Sequence, residues 1–201
     1  MSKMSKKKVI GITGSMGSGK SEISRYLRNK YPVLDCDQVN ADLLKKGNLG
    51  YEKLKEMNIV ELDSNGQIIK ESLASYMFSN EKHRKQVEAI LHPLIFDEMH
   101  KWIHQQESSI VFVEMPILFE ISAQEHFDSI WCVVADLDVA LSRLQTYRNF
   151  TREQALARLV SQMNPEEKMA KSDVVLRNNS TVEQLHMQIE DALKEEKLNG
   201  D

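Results

Sequence analysis

The chain has little cysteine, no long apolar run and no strong charge of either sign, and each shortage removes a class of protein. Its two cysteines among 201 residues, Cys36 and Cys132, are far apart and form no CxxC or metal-ligand spacing. That excludes a disulfide framework and a cysteine-based zinc site, and both read as buried thiols in a reducing compartment. No segment approaches the roughly 20 consecutive apolar residues a membrane span needs, so no membrane partner is expected. The basic residues from Lys3 to Lys8 precede an apolar run too short, and too interrupted by glycine, to serve as a signal peptide. A cytoplasmic location is expected. The net charge of −4 and pI of about 5.9 supply no basic field for nucleic acid or an anionic surface, so an anionic substrate must be held by local cations. The first half of the chain has no repeat, low-complexity segment or interdomain linker. With 41% hydrophobic residues, one sizeable core with an elaboration is expected, hence a single domain spanning 1–201.

What is present begins at Val9-Ile10-Gly11-Ile12-Thr13, an apolar strand, followed by Gly14-Ser15-Met16-Gly17-Ser18-Gly19-Lys20-Ser21. This has the form GxxxxGK[ST], the phosphate-binding loop of nucleotide-using enzymes. Glycines let the backbone turn and bring its N–H groups onto phosphate oxygens, and the following helix aims its N-terminus at the same anion. The nucleotide-binding residues expected from the loop are Gly14, Met16, Gly17, Ser18, Gly19, Lys20 and Ser21. Lys20 would reach the β- and γ-phosphates of ATP, and the Ser21 hydroxyl would ligate Mg²⁺. Ile23, Tyr26 and Leu27 give the required helix a buried face.

Tyr31 to Asp35 reads as a short strand ending in Asp35-Cys36-Asp37. If extended backbone continues through Cys36, both carboxylates point the same way, toward the edge where open α/β sheets bind ligands. The alternative makes Asp37 the N-cap of a helix from Gln38 to Lys46. Gly47 breaks that helix, Asn65-Gly66 is a turn, and helices are expected from Lys70 to Phe78 and from an Asn80 cap to about Gln106. Pro93 should kink or interrupt the latter, with His92 beside it packed or solvated. Ile110 to Val113 is a buried strand closed by Glu114, where such enzymes place an acid that holds Mg²⁺ through water. Ile130 to Ala135 is the next strand. Residues 138–172 are helical and cation-rich, with Arg143, Arg148, Arg152, Arg158, Lys168 and Lys171. Asn149 breaks the first of these helices, and Thr151 with Gln154 has the form of a capping box. Such a hairpin is where nucleotide kinases carry a lid. Asp173 to Asn178 is a last strand, and Ser180 opens an amphipathic helix with Val182, Leu185, Ile189 and Leu193 on one face.

Jointly, GITGSMGSGKS, VLDCD with Gly47, AILHPLI, MPILFE, RLVSQM with EEKMAKSDVV, and Asn178 resemble the dephospho-coenzyme A kinase family from Ile10 to about Leu193. The resemblance implies an α/β P-loop kinase fold, a five-stranded parallel sheet with helices on both faces. It places the core at about 8–37, 108–137 and 173–197, a helical region binding the pantetheine end of dephospho-CoA at about 38–107, and a lid at about 138–172. It implies ATP and Mg²⁺, Asp37 as the acid that accepts or orients the attacking hydroxyl, Lys20 and Ser21 as phosphate and Mg²⁺ ligands, and Asn178 in the nucleotide site. A monomer or weak homo-oligomer is expected. The family usually has Thr at Glu22, Arg at Ala41, Asp at Glu114, and Arg-Asp at Tyr147-Arg148. Because Asn149 and the Thr151 cap place Arg148 at a helix end, Arg148, helped by Arg143, is expected to supply the transition-state cation. A shikimate-kinase-like enzyme and a nucleotide-binding sensor without transfer activity are the other readings.

Overall fold

The computed structural model describes residues 7–198, so Lys3 and Lys6 of the basic segment lie outside the described residues. Five parallel strands form one sheet: β1 (Lys8–Gly14), β2 (Val33–Asp35), β3 (Ile110–Glu114), β4 (Ser129–Val134) and β5 (Val174–Arg177). Their order is β2-β3-β1-β4-β5. In the central register Ile12 lies between Glu114 of β3 and Trp131 of β4. Every residue of β3 and β4 is buried. Continuous apolar runs of this kind, rather than alternating ones, are what a parallel sheet covered on both faces requires.

The chain divides into two compact units, one comprising the described residues through Leu34 and from Gln106 onward, the other Asp35–Gln105. In the first, α1 (Lys20–Leu27) and α9 (Val182–Leu198) pack on the sheet through Ile23, Leu27, Leu185, Ile189 and Leu193 against Ile10, Ile12, Phe112, Trp131 and Leu176. Phe112 and Trp131 meet edge to face, with ring centroids 5.2 Å apart. The buried Glu196 of α9 is tied to the sheet by the Trp131 indole N–H at 2.8 Å, the Lys8 ammonium at 2.7 Å and the Ser129 hydroxyl. Burial pushes its carboxyl up, but those three donors prevail and hold it below the ordinary glutamate value. Both cysteines are buried and neither is in a disulfide, and burial pushes the Cys132 thiol up.

Three helices join β4 to β5: α6 (Leu137–Arg148), α7 (Arg152–Val160) and α8 (Pro165–Ala170). Asn149 ends α6 in the left-handed conformation, φ 54°. The Thr151 and Gln154 capping box is fully formed.

The second unit contains α2 (Cys36–Leu43), α3 (Leu49–Glu56), α4 (Lys70–Ser79) and α5 (Glu81–Gln105) around Leu54, Ile59, Leu73, Val87 and Leu91. The Asn80 carboxamide caps α5 by accepting from the His83 N–H at 2.8 Å.

Three local expectations are corrected. Pro93 does not interrupt α5, which runs unbroken for 25 residues. Its ring lies on the exposed side while Leu91 and Leu94 beside it are buried, and that packing outweighs one missing N–H. Extended backbone stops at Asp35, which is itself the N-cap of α2 and accepts from the N–H groups of Asp37 and Gln38. Asp37 is therefore neither the cap nor on a strand, but an exposed residue of the first helical turn. Finally, α9 is opened by Thr181 rather than Ser180, because the Thr181 hydroxyl accepts from the Gln184 N–H at 3.3 Å. Val182 is 45% exposed, and Ala192 replaces it on the buried stripe.

Candidate active site

The loop Gly14–Ser21 joins β1 to α1, and the residue before α1 is Gly19, at φ 97° with no side-chain cap. Gly19 thus offers the first turn of α1 no capping side chain, and a helix N-terminus left uncapped in this way is the arrangement that holds an anion. Glycine is required here for more than phosphate approach. A Cβ on Gly19 would fall on the Asn178 carboxamide, and one on Gly17, at φ 76°, would stand 2.8 Å from the Ala140 carbonyl oxygen of α6. Ser18 is 1% exposed and its hydroxyl oxygen finds no partner among the described residues.

The Lys20 ammonium donates to the Gly14 and Ser15 carbonyls at 2.8 and 3.0 Å, folded over the loop whose N–H groups it accompanies. Ser21 is exposed. One turn further along α1, the Ser24 hydroxyl donates at 2.5 Å to the buried Glu114 carboxylate at the end of β3. Ser21 lies one helical turn before Ser24, the residue that holds Glu114, and Ser21 and Glu114 offer hard oxygen atoms, a donor type suited to Mg²⁺ retaining several waters. Glu22, which follows Ser21, has its charge offset by Arg25 and lies 3.3 Å from His186 Nε2.

Arg143 of α6 reaches the loop. Its guanidinium donates to the Gly17 and Ser18 carbonyls, both at 3.4 Å, and to Asn178 Oδ1 at 3.1 Å. Asn178, just past β5, completes the contact by donating to the Ser18 carbonyl at 2.9 Å. Arg148 is not brought to the same place: it is the exposed last residue of α6. Five residues at about 100° each carry it some 140° around the helix from Arg143. Tyr147, where the family arginine falls, is 78% exposed. Arg152 is exposed and lies 3.9 Å from Asp138.

Gln162, Lys168 and Glu120, none of them a candidate site residue in the sequence, also make contacts beside the loop. The Met16 N–H donates to Gln162 Oε1 at 2.9 Å, and the Met16 side chain packs with Leu141, Leu144 and Ala155 of α6 and α7. Lys168 of α8 is fully buried, not on a solvated face, and donates to Glu120 Oε1 at 2.7 Å and to the Pro116 carbonyl at 3.0 Å. Glu120 also accepts from the Met163 N–H at 3.3 Å, and the Pro116 carbonyl from the Thr13 hydroxyl at 3.1 Å. The six-residue α8 is too short to carry a periodicity that would mark Lys168 as inward-facing; the signal available was Glu120, an acid closing the apolar segment MPILFE.

A family model described as dephospho-CoA kinase matches residues 8–184. The chain belongs to the dephospho-CoA kinase family. It is 36% identical over 190 residues to a dephospho-CoA kinase of Streptococcus pyogenes, covering 92% of this chain and 96% of the relative. It is 34% identical over 192 residues to the dephospho-CoA kinase of Bacillus cereus, again covering 92% and 96%. Among solved structures, TT1252 from Thermus thermophilus superposes with a TM-score of 0.83 at 32% identity, over 94% of this chain and 98% of that one. In this member of the dephospho-CoA kinase family, the α6 cation that donates to the Gly17 and Ser18 carbonyls is Arg143. Among the described residues no cluster of three or more His, Cys, Asp or Glu is placed to hold a metal, and no helix is long and apolar enough to cross a membrane.

Proposed function

We propose that the chain transfers the terminal phosphoryl group of ATP to the ribose 3′-hydroxyl of dephospho-CoA, giving CoA, with the loop Gly14–Ser21 as the phosphate site. The observation that carries this reading is the convergence of Arg143 and Asn178 on Gly17 and Ser18, which brings a cation from the 138–172 segment onto a loop of phosphate-binding form. Gly14, Met16, Gly17, Ser18 and Gly19 surround the phosphates, and Lys20 exchanges the Gly14 and Ser15 carbonyls for phosphate oxygens. Ser21 and, through water, Glu114 hold Mg²⁺, which when bound neutralises charge developing on the phosphates. Asp37 accepts the proton of the attacking hydroxyl. Residues 38–107 receive the pantetheine end of the acceptor, and 138–172 act as the lid that excludes water. A cytoplasmic monomer or weak homo-oligomer fits this role.

ADP release measured side by side with dephospho-CoA, shikimate and nucleoside monophosphates tests the reading. Turnover is expected only with dephospho-CoA and only with Mg²⁺ present. Turnover with shikimate in its place would move the assignment to that acceptor, and nucleotide binding without turnover on any acceptor would make the chain a sensor.

The lid arginine is tested by a matched pair. Arg143→Ala is expected to lower kcat about 10²-fold, the usual effect of losing one preorganised charge-stabilising donor. Arg148→Ala, an exposed helix-end change, is expected to alter kcat less than Arg143→Ala and to leave stability within about 0.5 kcal/mol. The reverse ranking in kcat would return the role to Arg148.

A further inference from the structure

Gln162 lies in the short connection 162–164 between α7 and α8, half-buried, with Oε1 accepting from the Met16 N–H. A carboxamide is a two-sided group, an acceptor oxygen beside two N–H donors in one plane. Because the Met16 amide can only donate, the oxygen must face it, and this settles the orientation of the side chain. The Nε2 amide is thereby held next to the third residue of the phosphate loop, and it has no hydrogen-bond partner among the described residues.

The backbone that carries Gln162 is fixed to the base of the same loop. Glu120 accepts from the adjacent Met163 N–H and from the buried Lys168 ammonium. Lys168 in turn donates to the Pro116 carbonyl, which also accepts from Thr13, the residue that precedes Gly14. The packing of Met16 against Leu141, Leu144 and Ala155 holds α6 and α7 to the loop from the other side. A side chain fixed at both its backbone and its oxygen, with its donors unpartnered, is preorganised for an anionic acceptor.

The loop N–H groups and the α1 terminus serve the inner phosphates, whereas the 138–172 segment brings groups to the transferring phosphoryl group. Gln162 and Arg143 both reach the loop from that segment, one neutral and one charged. We infer that Gln162 is a further catalytic residue: positioned by the Met16 N–H, its carboxamide donates to the terminal phosphoryl group of bound ATP. This rests on the reading of Gly14–Ser21 as the phosphate site.

A contact with the terminal phosphate must discriminate ATP from ADP, whereas a purely structural role would change both affinities alike. The test is calorimetric titration of the full chain with Mg²⁺ and either the non-hydrolysable β,γ-imido analogue of ATP or ADP. The proteins are wild type, Gln162→Ala, Gln162→Glu and Lys20→Ala. Gln162→Ala is expected to weaken the triphosphate about tenfold, the scale of one hydrogen bond to a charged group, with ADP affinity within about twofold. Gln162→Glu keeps the acceptor for Met16 and replaces the donor with a charge, so it is expected to weaken the triphosphate more than Gln162→Ala. Equal weakening of both nucleotides, or no weakening of either by the Gln162 variants, overturns the inference. Lys20→Ala is expected to weaken both nucleotides. If it does so while the Gln162 variants do not discriminate, only the role of Gln162 fails; if Lys20→Ala is silent, the loop assignment fails and takes the inference with it.

Discussion

Asp37→Asn is expected to lower kcat by roughly 10² to 10⁴, the range of a positioned general base, while ATP affinity stays within about twofold. In the proposed reaction Lys20 would contact phosphates charged in both ground and transition states, so Lys20→Ala is expected to impair binding and turnover together, whereas Asp37 would act on the acceptor hydroxyl. The division of labour between the two neighbouring carboxylates makes the experiment clean. Asp35 caps α2 by accepting from the N–H groups of Asp37 and Gln38 at 2.9 and 3.3 Å, so the Asp37 carboxylate is not needed for that task. Asparagine keeps its shape and loses only charge, at a cost of about 0.3–1 kcal/mol from the first-turn dipole interaction. Asp35→Ala should do the opposite: it costs about 1 kcal/mol of stability through the lost cap. Denaturant titration and steady-state kinetics on both variants check this. Retention of most turnover by Asp37→Asn would remove the base from that position.

The elements that were legible in the sequence are those whose determinants are local. The phosphate loop, the runs that became β3 and β4, the Asn80 cap and the Thr151 capping box all follow from residues within a few positions of one another. Register at the end of β2 was not, because Asp35 and Asp37 are both good caps and only the backbone turn at Cys36 chooses between them. Which arginine of α6 touches the loop was not legible locally either. Arg148 was favoured because it ends a helix, but α6 packs Leu141 and Leu144 inward, and a helix that buries those residues turns Arg143 toward Gly17 and leaves Arg148 in water. Gln162 meets Met16 across 146 residues, and nothing in either local sequence encodes that meeting. The burial of Lys168 could not be read locally either, because its carboxylate partner Glu120 is 48 positions away in sequence and joined to it only by the fold.

That ion pair gives the largest expected effect on stability, and its two halves should not be equivalent. The Lys168 side chain is fully buried, whereas that of Glu120 is 24% exposed. Glu120→Ala leaves an ammonium in the interior with only the Pro116 carbonyl as a named acceptor, and an orphaned buried charge costs about 3 kcal/mol, the lower end of the range for a broken pair because Glu120 is partly hydrated. For a chain of this size that lowers Tm by roughly 6–12 °C. Lys168→Met removes the charge instead. Methionine fills the space of the alkyl stem, the Pro116 carbonyl keeps the Thr13 hydroxyl, and Glu120 retains both water and the Met163 N–H, so about 1 kcal/mol is expected. The double variant Glu120→Ala with Lys168→Met should therefore be more stable than Glu120→Ala alone, since the second change removes the charge that the first orphans. Chemical denaturation of the three variants yields the coupling directly. A double variant no more stable than Glu120→Ala would mean that the Lys168 ammonium is satisfied without its carboxylate, and that Glu120 acts on the 162–163 backbone alone.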